Sequence, residues 1–160
     1  MYSYNNNIDS AVFGVLIIIG VIALAISITI AVFYLLNLQN LLKEISPKNR
    51  LVEPGNVWLM FIPLFNIIYP FILYPKICDS VKNEYSSRGI KEAGDFGRGL
   101  GIAMPILSLC GIIPVLGSLA GLANFILFIV FWVKMAGYKT KLKSSPKGEL
   151  GMNANTDILD

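Results

Sequence analysis

Three long stretches without a charged residue constrain this chain more than anything else in it. They run from Ser10 to Leu42, from Val57 to Pro75 and from Gly99 to Val133. A charge at mid-membrane costs about 2.5–3.5 kcal/mol on insertion scales, so a bilayer selects uncharged runs of this kind. A soluble chain of 160 residues has no single core in which to hide three of them. The composition is 55% apolar and 14% charged, against about 45–50% and about 25% in soluble domains, and the excess sits in these blocks. The sequence predicts an all-α fold, a polytopic transmembrane helical bundle.

The blocks divide into four hydrophobic segments, at about 11–36, 57–77, 97–113 and 118–138, arranged as two hairpins. Residues 1–10 form a polar leader, 11–143 a single transmembrane domain, and 144–160 a disordered tail. The first segment has 26 uncharged residues, about 39 Å of helix against a hydrocarbon core of about 30 Å. No Lys or Arg precedes it, so it reads as a retained helix rather than a secretory signal. "NLQNLLKEI" prolongs it, and Ala23, Ser27 and Ala31 make a small-residue stripe that lets another helix approach. Chance in an Ala-rich helix explains the stripe equally well.

The third block has 35 residues, about 52 Å as one helix and too long for one crossing. "CGIIPVLGS" supplies the turn of a tight hairpin, with Gly99–Ile113 and Ser118–Val133 as its arms. Gly97 with Gly101, and Gly117 with Gly121, give close-packing faces at GxxxG spacing. Arg98 and Lys134 mark one interface, where Trp132 and Tyr138 suit aromatic anchoring. The glycine-rich "GDFGRGLG" lacks the strand and the Gly-Lys-Ser/Thr ending of a phosphate cradle and reads as an entrance to the third segment.

The second segment is the ambiguous one. It carries Pro54, Pro63, Pro70 and Pro75 with Asn66 in its middle. As a proline-broken helix it just crosses the membrane. As a re-entrant segment "VWLMF" dips in, "IPLFN" turns, and "IIYPFILY" returns to the same side. Basic residues number 3 after the first segment, 5 between the second and third, and 5 from Lys134 onward. Four complete crossings put 10 of them with both termini in the cytoplasm, against 3 outside. Re-entry puts all 13 on one side, so the positive-inside rule allows both and slightly prefers re-entry. Complete crossings are the commoner arrangement and are the expectation here. The likeness of "FIPLFN" to "IIPVLG" agrees with a duplicated hairpin.

No histidine is present, which removes Ser-His and Cys-His pairs and zincin motifs. No carboxylate falls in an apolar block, so neither an intramembrane aspartyl site nor a proton relay is indicated. Cys78 and Cys110 have no metal or disulfide spacing. No catalytic, cofactor or metal residue is assigned. The polar groups at depth that ask for an explanation are Asn66 and Asn124. Asn66 caps the helix restarting after Pro63, or both asparagines line a pore or ligand cavity. Lys139, Lys141, Lys143 and Lys147 offer a surface for anionic lipid. The loop from Lys76 to Arg98 reads as a solvated connection, and the basic excess beside membrane segments does not indicate nucleic acid.

With "LLKEISPKNRLVEPGNVWLMFIPLFNIIYP", "CGIIPVLG" and "WVKMAGYK", the chain resembles a family of small multi-pass bacterial membrane proteins of unknown function. The likeness covers residues 38–143 and rests on Pro54, Gly55, Trp58, Ile62, Pro63, Asn66 and Lys76. It implies a bacterial cytoplasmic (inner) membrane and brings no activity or catalytic residue. The functional expectation is a non-enzymatic membrane protein that acts by helix packing, as a homo-oligomer or as the membrane subunit of a complex. The alternative is a small oligomeric pore or transporter lined by Asn66, Asn124 and the glycine-rich hairpin. A lipid-modifying enzyme ranks third, for want of acidic or histidine clusters.

Overall fold

Leu, Ile, Val and Ala without a proline from residue 2 to 44 leave the first helix nothing to stop it. In the computed structural model, which describes residues 2–111, 113 and 117–146, with side-chain surroundings from Ser10 onward, α1 spans Tyr2–Glu44. It therefore extends beyond residues 11–36 at both ends, residues 2–10 of the polar leader being helical too. Pro47 ends it, starting a 3-10 turn at Pro47–Asn49. A second 3-10 helix covers Pro54–Phe61, followed by α2 at Phe65–Ser87, α3 at Arg98–Cys110 and α4 at Gly117–Ser144. No strand occurs among the described residues. The chain divides into two units, at 1–36 and from residue 37 onward.

In the first unit the apolar face is the whole circumference: the large apolar residues from Val12 to Ile30 are all at least 43% exposed. Ser27 and Thr29 turn their hydroxyls back onto the carbonyls of Ala23 and Ala25, each at 2.8 Å. Such a helix is stable in hydrocarbon because every backbone group is satisfied within the segment.

The second unit has a core, and it lies at the charged end. Leu38, Leu41, Leu42 and Ile45 at the close of α1, Leu73, Ile77 and Val81 of α2, and Phe131, Met135 and Leu142 of α4 are at most 1% exposed. Their spacing of three and four is the repeat of one helix face. Tyr138 belongs to this core rather than to an interfacial belt, with its ring 5.6 Å from those of both Tyr85 and Phe96. α3 runs antiparallel to α2, with Arg98 on Asp79 at 3.0 Å and Gly101 against Tyr74. It is antiparallel to α4 as well, Ser108 meeting Asn124 and Gly111 meeting Gly117.

Among the described residues two helices are long and apolar enough to cross a membrane, α1 over Ser10–Glu44 and α4. The segment 57–77 is not a third. It is the 3-10 helix, a turn at Ile62–Leu64 and the first half of α2, against which the 3-10 helix packs. Pro63 has no N–H for an α-helical bond and disfavours α geometry at Ile62, whose ψ is 116°. Four complete crossings also fail on their loops. Ser46 and Asn49 bond to Glu84, and Leu51 N–H donates to Ser80 Oγ at 2.8 Å. Residues 46–51 and 80–84 are thus on one side of any membrane, whereas four crossings separate them by a bilayer of about 30 Å.

Candidate functional site

The stretch read as a solvated loop instead holds a buried, densely bonded polar cluster. α2 continues through it to Ser87 because "CDSVKNEYSS" contains no breaker, and Glu84 and Arg88 fall four residues apart on one face. Their side chains are 1% and 2% exposed and form an ion pair at 2.7 Å. The Glu84 carboxylate also accepts from Ser46 N–H (3.0 Å), Ser46 Oγ (2.9 Å) and Asn49 Nδ2 (2.7 Å). Burial pushes this carboxyl up, but the hydrogen bonds from Asn49, Arg88 and Ser46 outweigh it and hold it below its ordinary value. Arg88 donates onward to the carbonyls of Leu142 (2.6 Å), Ser145 (3.1 Å) and Glu44 (2.8 Å). These are carbonyls at the C-terminal ends of α4 and α1, where a cation is favourable. One guanidinium therefore ties three helix ends together. Its role is architectural, and the i,i+4 spacing in "EYSSR" was its available sequence signal.

The glycine-rich entrance to α3 is similarly occupied from within. Asp95 accepts from Gly97 N–H at 3.0 Å and Gly99 N–H at 2.7 Å. Those bonds, Gly99 first, lower its carboxyl. The amides that a phosphate would use are taken. Gly97 has φ +86°, which a glycine adopts without penalty.

Of the glycines expected to pack, Gly101 sits tightly between helices: a Cβ there would stand 2.8 Å from Tyr74 Cβ. At Gly97 a Cβ would meet Met135 Cε at 3.1 Å, and at Gly117 the Gly111 carbonyl at 2.6 Å. Gly121 meets nothing within 4 Å among the described residues, so the expected Gly117/Gly121 face is only half closed among them. The turn between α3 and α4 includes residues 112 and 114–116, which lie outside the described residues, as does the tail from 147.

Asn66 and Asn124, 58 positions apart in sequence, meet on one cavity of about 270 Å³ between α2, α3 and α4. Pro70, Tyr74, Met104 and Ser108 share its wall. Asn124 Nδ2 donates to Ser108 Oγ at 2.9 Å, and its Oδ1 is buried without a partner among the described residues. Asn66 is not the expected cap. It is the second residue of α2, its N–H donates to Ile62 O at 2.9 Å, and the α2 N-terminus has no side-chain cap bond. Pro70, lacking an N–H, leaves the Asn66 carbonyl without its helical donor. The cavity thus has polar groups from three helices and no charge, suiting a small neutral molecule or water. Of the lysines expected at anionic lipid, Lys139 donates to Asn37 and Lys141 to Glu92, both at 2.7 Å. Lys143 is exposed, and Lys147 lies outside the described residues. Compared with protein-family models, curated proteins and solved structures, the chain matches none.

Proposed function

We propose that the protein is a non-enzymatic integral protein of a bacterial cytoplasmic membrane that works by assembly. It is a homo-oligomer or the membrane subunit of a larger complex. In this reading α1 is the complete crossing. Residues 57–75 and the α3–α4 hairpin enter from the side that carries the basic residues, which is the cytoplasm. The bonds joining residues 46–51 to Ser80 and Glu84 support this topology.

One observation carries assembly. Asn66 lies ten residues from Lys76 along α2, about 15 Å, or half the depth of the hydrocarbon core. The non-helical turn at Ile62–Leu64 is at that depth, and Phe61–Ile68 are all exposed. Irregular backbone does not face lipid; it is buried in protein or lines water. In the assembly reading a second chain covers this turn. Leu64→Cys in a background without Cys78 and Cys110 should cross-link to a neighbouring chain in native membranes. A single-chain product there, with single-chain size in mild detergent, contradicts assembly.

The same observation favours one second reading, a small oligomeric pore or transporter in which water covers the turn. Asn66 and Asn124 on a common cavity support it, since midplane sites in transporters are built at broken helices. Solute flux into liposomes that is lost in Asn124→Leu supports this reading, and absence of flux from an assembled wild-type protein leaves assembly alone.

A further inference from the structure

We infer that the chain holds one phospholipid, its phosphodiester in the cleft between residues 50–56 and α2 and an acyl chain in the apolar groove that continues from it. The cleft has a volume of about 300 Å³ and is lined by Arg50, Asn56, Tyr69 and Lys76, with Glu53 at its edge. The groove, about 250 Å³, is lined by Leu64, Phe65, Ile68, Tyr69 and Ile72. Tyr69 and Ile72 belong to both. A polar cleft thus shares a wall with an apolar one, as a molecule with a charged head and a hydrocarbon chain requires.

The donors of the cleft are incompletely used. Arg50 Nη2 bonds to Ile45 O at 2.9 Å, and Nη1 makes only a long pair at 3.3 Å with the exposed Glu53. Lys76 is exposed, and its ammonium has no partner among the described residues. Glu53, 73% exposed on its side chain, screens one arm of Arg50 and is free to swing away or meet a headgroup ammonium. Lys76 ends the uncharged run of the second segment, so the cleft sits at headgroup level and the groove points into the hydrocarbon. Four of the five groove residues, Phe65, Ile68, Tyr69 and Ile72, lie on α2, and Leu64 is the last residue of the turn before it. Phosphate oxygens accept well from guanidinium and ammonium groups.

Native mass spectrometry of the full-length protein in detergent tests this with three lipids of identical chains: dioleoylphosphatidylglycerol, dioleoylphosphatidylethanolamine and dioleoylglycerol. One molecule of phospholipid should be retained, and dioleoylglycerol should not. Lys76→Gln should lower occupancy about fivefold, the loss expected for one lysine near a charged headgroup. Ile68→Trp, which fills the groove, should lower it similarly, and Lys143→Gln should not. Both variants alter exposed side chains, and unchanged melting temperatures verify their folds. A preference for phosphatidylglycerol assigns recognition to net charge, and equal retention of both phospholipids assigns it to the phosphodiester. Retention of dioleoylglycerol equal to phospholipid, or occupancy unchanged in Lys76→Gln, overturns the site.

Discussion

Arg88 shows how much of this fold rests on single side chains. Its guanidinium serves Glu84 and three terminal carbonyls at once, so removing it strands a buried carboxylate as well as two helix ends. Loss of one partner of a buried pair costs about 3–5 kcal/mol, and Arg88→Met should lower the melting temperature in detergent far more than Arg50→Met. The Glu84 carboxyl is held below its ordinary 4.5 in the fold. A lowered carboxyl stabilises above its ordinary pKa and loses that contribution as pH falls through the folded value. Stability should therefore decline below about pH 4.5, and the gap between wild type and Glu84→Gln should narrow over that range in thermal melts. The pair was visible in sequence as an i,i+4 couple, but its burial was not. Mixed charge around a helix looks the same whether water or protein surrounds it.

At the scale of elements, the long apolar helices were legible because hydrophobicity and length decide them. The break in the second segment was legible too, since proline acts locally. The path of the chain after the break was not, because it depends on contacts with α2 that no local pattern encodes. Glycine spacing was a partial guide: GxxxG marks two faces, yet only the first is closed within the chain. Gly101→Val should separate α2 from α3, destabilising the protein by the about 1–3 kcal/mol typical of overpacking. Gly121→Val should leave the melting temperature nearly unchanged, since its side chain enters open space. Asn66→Leu should also be near neutral for stability, within about 0.5 kcal/mol, because no cap bond is lost. A clear fall in its melting temperature would restore the capping role.

For the molecule as a whole, charge counting could not choose between topologies, since both satisfy the positive-inside rule. Hydrogen bonds between the two basic loops favour the proposed topology, and they join residues 35 and 38 positions apart that sequence alone does not pair. The central claim is that every basic loop shares one side, with α1 as the complete crossing. Labelling by a membrane-impermeant maleimide tests it most directly, using single cysteines at Asn6, Lys48 and Lys91 in a background without Cys78 and Cys110. Intact cells should label only Asn6→Cys, with Lys48→Cys and Lys91→Cys reacting after permeabilisation. Labelling of Lys48→Cys in intact cells while Lys91→Cys stays protected, or protection of Asn6→Cys, would contradict the account.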